Sequence, residues 1–147
     1  KLIIAGGANY KSSYIEELKK TNDSRIVFLG PIYKEGHIKE LHCNCYAYVH
    51  GNEVGGTNPA LLKALGYGNT VLSLNVAFNA EVVRDAGILY ERSSDDLANK
   101  MQMLVDNPEY RNGFKQKAIN RILEEYTWKK ISDKYEDFFS DVIKGVY

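Results

Sequence analysis

The feature that most constrains this chain is an alternation. Short apolar runs are separated by longer stretches with helical spacing, repeatedly, as far as Tyr90. The pattern predicts strands over Leu2–Ala5, Ile26–Leu29, Tyr46–His50, Thr70–Leu74 and Ile88–Tyr90. Between them it predicts helices over Ser13–Lys20, Gly36–Cys43, Pro59–Tyr67 and Asn79–Asp85. Strand, helix, strand in repetition calls for parallel strands joined by right-handed crossovers. The expected class is therefore α/β, a Rossmann-like parallel sheet flanked by helices. The runs "LIIA" and "TVLSL" are largely apolar and fit strands covered on both faces.

The last third reads as helical. In "SSDDLANKMQMLVD", Leu97, Met101, Leu104 and Val105 fall at helical spacing, with Ser94 as the cap. Pro108 starts a further helix running to about Tyr126. Thr127 caps a last one, in which Trp128, Ile131, Tyr135, Phe138, Phe139 and Val142 form an apolar stripe, expected to pack into the core. No repeat, low-complexity stretch or linker interrupts the chain.

Composition narrows the function classes. The 147 residues are 44% hydrophobic, ordinary for one domain with one core. Nineteen basic residues balance nineteen acidic ones, so no basic field invites nucleic acid. No apolar run is long enough to span a bilayer. Cys43 and Cys45 form a C-x-C pair, which is no disulfide framework, and a reducing cytosol is the expected compartment. His42 and His50 flank the pair, yet the spacing is not that of zinc sites. Both cysteines are expected to be small buried residues between a helix and a strand, with no metal bound.

Open α/β sheets bind ligands at the carboxyl ends of their strands. Glycines and small polar residues cluster at those ends: "GGAN" (Gly6–Asn9), "GPIY" (Gly30–Tyr33), "GNEVGGTNP" (Gly51–Pro59) and "NVAFNAE" (Asn75–Glu81). With parallel strands, these loops are expected to face one crevice. In the third loop, Gly55 and Gly56 lack Cβ atoms and let backbone approach a ligand. Asn58 suits an N-cap and Pro59 a first helical position. Amides around Thr57, Ala60 and Leu61 would then face the crevice, where the helix end favours a phosphate by roughly 1 kcal/mol. The residues alone fit a capped helix after a glycine-containing turn at least as well. No G-x-G-x-x-G fingerprint, Walker loop or G-x-S-x-G elbow is present. His37, His42 and His50 have no nucleophile that the sequence places beside them.

The stretch "AYVHGNEVGGTNPALLKALGYGNTVLSLNVAFNAEVVRDAGILY" resembles the donor-binding half of retaining GT-B glycosyltransferases. It is most similar to a bacterial subgroup that contains rhamnosyltransferases. "KLIIAGGAN", "RIVFLGPIYK" and "EEYTWKKISDKYEDFF" extend the resemblance over nearly the whole chain. The resemblance implies transfer of a sugar from a nucleoside diphosphate sugar to an acceptor hydroxyl, in surface polysaccharide synthesis, with retained anomeric configuration. It implies a diphosphate held by Gly55, Gly56, Thr57 and Asn58, without a metal or other cofactor. It places the nucleoside near Gly6, Gly7, Gly30, Pro31, Ile32, Tyr33 and Lys63, and the sugar near Glu53, Asn79 and Glu81. No catalytic residue is assigned. The acceptor, a saccharide or lipid-linked saccharide, would be bound mainly by an N-terminal domain. That domain and the first strand of this one are expected to precede Lys1 in a longer, cytoplasmic protein that can sit at the inner face of the membrane.

The sequence also departs from the family. Lys63 stands where a glutamate usually accepts hydrogen bonds from both ribose hydroxyls; an ammonium only donates. Lys63 can instead meet a phosphate or remain a solvated helix residue. Ala80 stands where the subgroup tends to have arginine. The position aligned with a further family glutamate is Gly55, with Glu53 two residues earlier, either a sugar contact or a solvated loop residue. These departures leave a non-catalytic relative as one alternative, and a nucleotide-sugar epimerase of the same architecture as another.

Overall fold

A computed structural model describes residues 1–7 and 10–146 of the chain. The chain divides into two compact units, Lys1–Leu41 and His42–Tyr147. The first holds β1 (Leu2–Ala5), α1 (Ser13–Leu18) and β2 (Ile26–Gly30). Helix α2 (His37–Asn44) carries the chain into the second unit. There β3 (Tyr48–His50), α3 (Pro59–Gly66), β4 (Val71–Leu74), α4 (Ala77–Val83) and β5 (Ile88–Tyr90) follow in turn. Four helices close the chain: α5 (Ser94–Asp106), α6 (Pro108–Asn112), α7 (Phe114–Glu125) and α8 (Trp128–Ile143).

All pairings among the described strands are parallel, as the alternation predicts. β1 pairs with β2, Leu2 opposite Ile26, with a shift in register between Ile4 and Ala5. In the second unit the order is β3-β4-β5, with Tyr48 opposite Val71 and Leu72 opposite Ile88. Every residue of β4 is buried, as a central strand covered on both faces requires. The same expectation fails for β1, whose Leu2, Ile3 and Ala5 are exposed. A two-stranded sheet accompanied by one short helix with no buried residue has no second layer of its own to cover it.

The core of the second unit lies on the two faces of its sheet. Leu61, Ala64 and Leu65 of α3 pack with Val71, Val82, Val83, Ala86 and Ala118. Their spacing of three and four puts them on one helical face. Leu72, Leu74, Ile88, Tyr90, Leu104 and Phe114 form the second cluster.

Several boundaries move for identifiable reasons. Ser93, not Ser94, caps α5: its side chain accepts from Asp96 N at 3.3 Å, and Asp96 in turn accepts from Glu91 N at 2.8 Å. The helix predicted from Pro108 to Tyr126 is two helices, divided at Gly113. Helix α4 begins at Ala77, so Asn79 lies inside it rather than at its start. Cys43 and Cys45 are exposed thiols, because the turn from α2 into β3 runs over the surface.

The largest correction concerns α8. Thr127 caps it as predicted, accepting from Lys130 N at 3.3 Å. Yet no residue of α8 is buried, and Trp128 is 88% exposed. Tyr135 stacks on Phe139 with centroids 6.0 Å apart, so the aromatic stripe packs partly on itself. Periodicity shows that a helix has an apolar face; it does not say what lies against it.

Candidate functional site

The site is built from the carboxyl ends of β3, β4 and β5 in the second unit. His50 ends β3, and the chain then runs exposed from Gly51 to Thr57. Gly55 has φ +134°, a conformation that a side chain strains, so glycine is needed there. Gly56 has nothing within 4 Å of where a Cβ would stand, so the space beside it is open. Asn58 is extended (φ −94°, ψ 122°), and its Oδ1 accepts from Ala60 N at 2.8 Å. Pro59 occupies the first helical position.

The loop therefore has the predicted form, with one amendment. The Ala60 amide is taken by the cap and is not available to a ligand. Gly55, Gly56 and Thr57 offer amides without an acceptor among the described residues. They precede a helix N-terminus, where first-turn amides and the helix dipole favour an anion.

Three side chains hold the root of this loop. Asn79 donates to Asn52 O at 3.0 Å and to Leu74 O at 3.1 Å. Tyr90 donates its hydroxyl to His50 O at 3.3 Å. Arg92 pairs with Glu53 at 3.0 Å. Gly51, Glu53, Leu74, Tyr90, Arg92, Ser93, Ser94 and Leu97 together line an open recess of about 270 Å³. Tyr90 and Arg92 were not among the predicted site residues. Their place at the end of a strand, beside the third loop, is the signal that marked them.

His50 is 2% exposed, and burial pushes its imidazole below the ordinary range. Its Nε2, Ser73 Oγ and Asn79 Oδ1 are buried without a protein partner among the described residues. His50 and Ser73 are register partners and so project to one face of the sheet. Burial, with the Glu53 charge adding to it, raises the Tyr90 hydroxyl above its ordinary value.

The structure places the other predicted residues as follows. Gly55, Gly56, Thr57 and Asn58 sit together in the loop. Lys63 is exposed on α3, one turn in. Glu53 is turned to Arg92. Asn79 is fully buried, its amide spent on backbone carbonyls. Glu81 accepts from the Tyr126 hydroxyl at 3.2 Å and lies 3.7 Å from Arg121. In the first unit, Gly6 and Gly7 follow β1, while Gly30 ends β2 and Pro31, Ile32 and Tyr33 follow it. Gly6 N donates to Gly30 O at 2.8 Å, and Gly7 stands against the Pro31 ring. Tyr33 is exposed. Ala8 and Asn9 of the first loop lie outside the described residues. Among the described residues no cluster of His, Cys, Asp and Glu could hold a metal ion, and no helix is long and apolar enough to cross a membrane.

Comparison with known proteins agrees with this architecture. The family described as glycosyl transferases group 1 matches residues 1–121. An uncharacterized glycosyltransferase of Methanocaldococcus jannaschii is 28% identical over 137 residues, 88% of this chain and 35% of that protein. Among solved structures, Anabaena HepE in complex with UDP superposes with a TM-score of 0.83 at 19% identity, over 95% of this chain and 40% of HepE. HepE has also been solved with UDP-glucose. The C-terminal domain of the group 1 family protein LpcC from Francisella tularensis gives a TM-score of 0.68 at 22% identity, over 78% of this chain and 63% of that domain. At these identities the likeness to solved structures establishes the fold. The chain spans about a third of the length of its curated relative.

Proposed function

From the premise that this chain belongs to the group 1 glycosyl transferases, we propose that it is the donor-binding part of an enzyme that moves a sugar from a nucleoside diphosphate sugar to an acceptor hydroxyl. The observation that carries this reading is the Gly51–Pro59 loop. It delivers unpaired backbone amides to the N-terminus of a capped helix, at the carboxyl end of a parallel sheet. As the sugar departs, negative charge grows on the leaving diphosphate. The amides of Gly56 and Thr57 and the dipole of α3 stabilise that charge without reorganising. The UDP and UDP-glucose bound to HepE support a nucleoside diphosphate as the ligand class. Retention of configuration, rhamnose as the sugar, a role in surface polysaccharide and an acceptor-binding domain elsewhere in a longer protein belong to this proposal. So do the nucleoside contacts at Gly6, Gly7 and Gly30–Tyr33, and the absence of a metal requirement.

Calorimetric titration with a panel of nucleoside diphosphates tests the reading. Micromolar to millimolar binding of at least one is expected, and no binding of any overturns it.

A second reading, a non-catalytic relative, is favoured by the exposed Lys63 on α3. Turnover by the full-length protein with a panel of sugar donors would exclude it. Lys63→Glu restores an acceptor for ribose hydroxyls and is expected to tighten nucleoside diphosphate binding. An unchanged affinity would show that position 63 does not meet the ribose.

A further inference from the structure

We propose that Asn79 is a positioning residue, which clamps the loop after β3 to the end of β4 and so presets the backbone that receives the diphosphate. The proposal rests on the reading of that loop as a phosphate site. Asn79 has no exposed surface, although asparagine is a polar side chain seldom fully buried without a reason. Both hydrogens of its amide are used. One goes to Asn52 O in the loop and the other to Leu74 O, the last carbonyl of β4.

The other two ties to the loop are weaker. The Arg92–Glu53 pair is largely exposed, so solvent screens it. The Tyr90 hydroxyl reaches His50 O at 3.3 Å, a long bond for an O–H donor. Beyond Glu53 no side-chain tie is made, among the described residues, until Asn58 caps α3. Val54, at the tip, is 88% exposed. The loop thus has a fixed root, a fixed exit and an unsupported tip from Val54 to Thr57. A diphosphate needs several amides in one arrangement at once. Fixing both ends of so short a tip removes most of the ordering that binding must otherwise supply.

The chemistry selects asparagine at this place. One nitrogen must donate to two carbonyl oxygens. An aspartate only accepts and would face both oxygens with its charge, and a leucine offers nothing. The helix register matters equally: Asn79 lies in the first turn of α4, beside the end of the strand that precedes it.

The test uses Asn79→Leu, a larger residue that keeps the branch at Cγ but has no donor, and Asn79→Ser, which keeps one donor. Amide hydrogen exchange and UDP titration are measured on each. Asn79→Leu is expected to speed exchange at Asn52–Thr57 while β4 and α3 keep their protection, and to weaken UDP binding about tenfold, with Asn79→Ser in between. Unchanged loop exchange with unchanged UDP affinity overturns the proposal. A uniform loss of protection across the second unit also overturns it, since that marks a residue that merely supports the fold. If the leucine variant does not fold, the serine variant decides by the same two readouts. Hydrogen-bond couplings from the Asn79 amide to the Asn52 carbonyl in the wild-type chain decide it independently, and their absence overturns it. If the wild-type protein binds no nucleoside diphosphate, the donor reading fails, and the exchange data still judge the clamp.

Discussion

Arg121 Nε donates to Val82 O at 3.0 Å, from the middle of α7 to the last turn of α4. The same guanidinium donates to Glu81 O at 2.9 Å and to the Tyr126 hydroxyl at 3.3 Å. A buried cation thus satisfies carbonyls that the end of a helix leaves without partners. Arg121→Met is expected to destabilise the fold by about 2–3 kcal/mol, because hydrogen bonds from a charged donor are lost and two carbonyls are stranded. Arg121→Lys should recover only part of this, since one ammonium cannot reproduce the planar fork. Denaturant unfolding monitored by circular dichroism measures both.

Two glycines separate packing from binding. A Cβ at Gly87 would stand 2.8 Å from Val71 O and 2.9 Å from Val83 Cγ1. Gly87→Ala should therefore cost about 1–3 kcal/mol through overpacking, with a lower melting temperature. At Gly56 a Cβ meets nothing within 4 Å. Gly56→Ala should leave the melting temperature unchanged and, if the proposed diphosphate site is right, weaken nucleoside diphosphate binding by filling the open space beside the loop. Thermal melts paired with titrations distinguish the two outcomes.

Asn58 gives a sharper separation. Asn58→Ala removes the side chain that accepts from Ala60 N and should cost about 1 kcal/mol of stability. Asn58→Asp keeps an acceptor there, and its charge suits a helix N-terminus, so stability should hold or rise slightly. The same charge repels a diphosphate, so binding should fall. A stable aspartate variant with undiminished UDP affinity would remove the diphosphate from this helix end.

The stability of the second unit should depend on pH through His50. Burial lowers its pKa in the folded protein, while the unfolded chain titrates near about 6.5. Below that value the unfolded state binds more protons than the native one, so stability rises with pH there. The contribution is fully present above about pH 6.5 and is lost as the pH falls through the lowered native value. His50→Gln should flatten this part of the profile in denaturant titrations across the range.

The layout of the second unit was legible because its signals are local. "TVLSL" is largely apolar, and its Val71–Leu74 forms the central strand; Asn58-Pro59 caps and starts a helix by side-chain chemistry alone. Gly55 and Gly56 announce a loop that needs glycine, and the loop has that form. What was not legible depends on partners distant in sequence. Asn79 reads as a polar residue at a strand mouth, and only its helix register shows that its amide faces Asn52 O, 27 residues away. Glu53 and Glu81 read as loose carboxylates, yet Arg92 and Arg121 stand beside them. The aromatic residues of α8 have core spacing, but spacing carries no information about whether another element lies within reach.

The parallel order β3-β4-β5 governs how this unit can fold. Tyr48 pairs with Val71 and Leu72 with Ile88, so no strand meets its partner through a tight turn. A whole crossover must close before the first ladder bond forms, and loop-closure entropy is lost before any contact repays it. Helices α3 and α4 can begin locally, each steering the strands on either side of it. A helix docking on β4 is therefore the expected nucleus, and substitutions at Leu61 or Val82 should slow refolding more than those in α8.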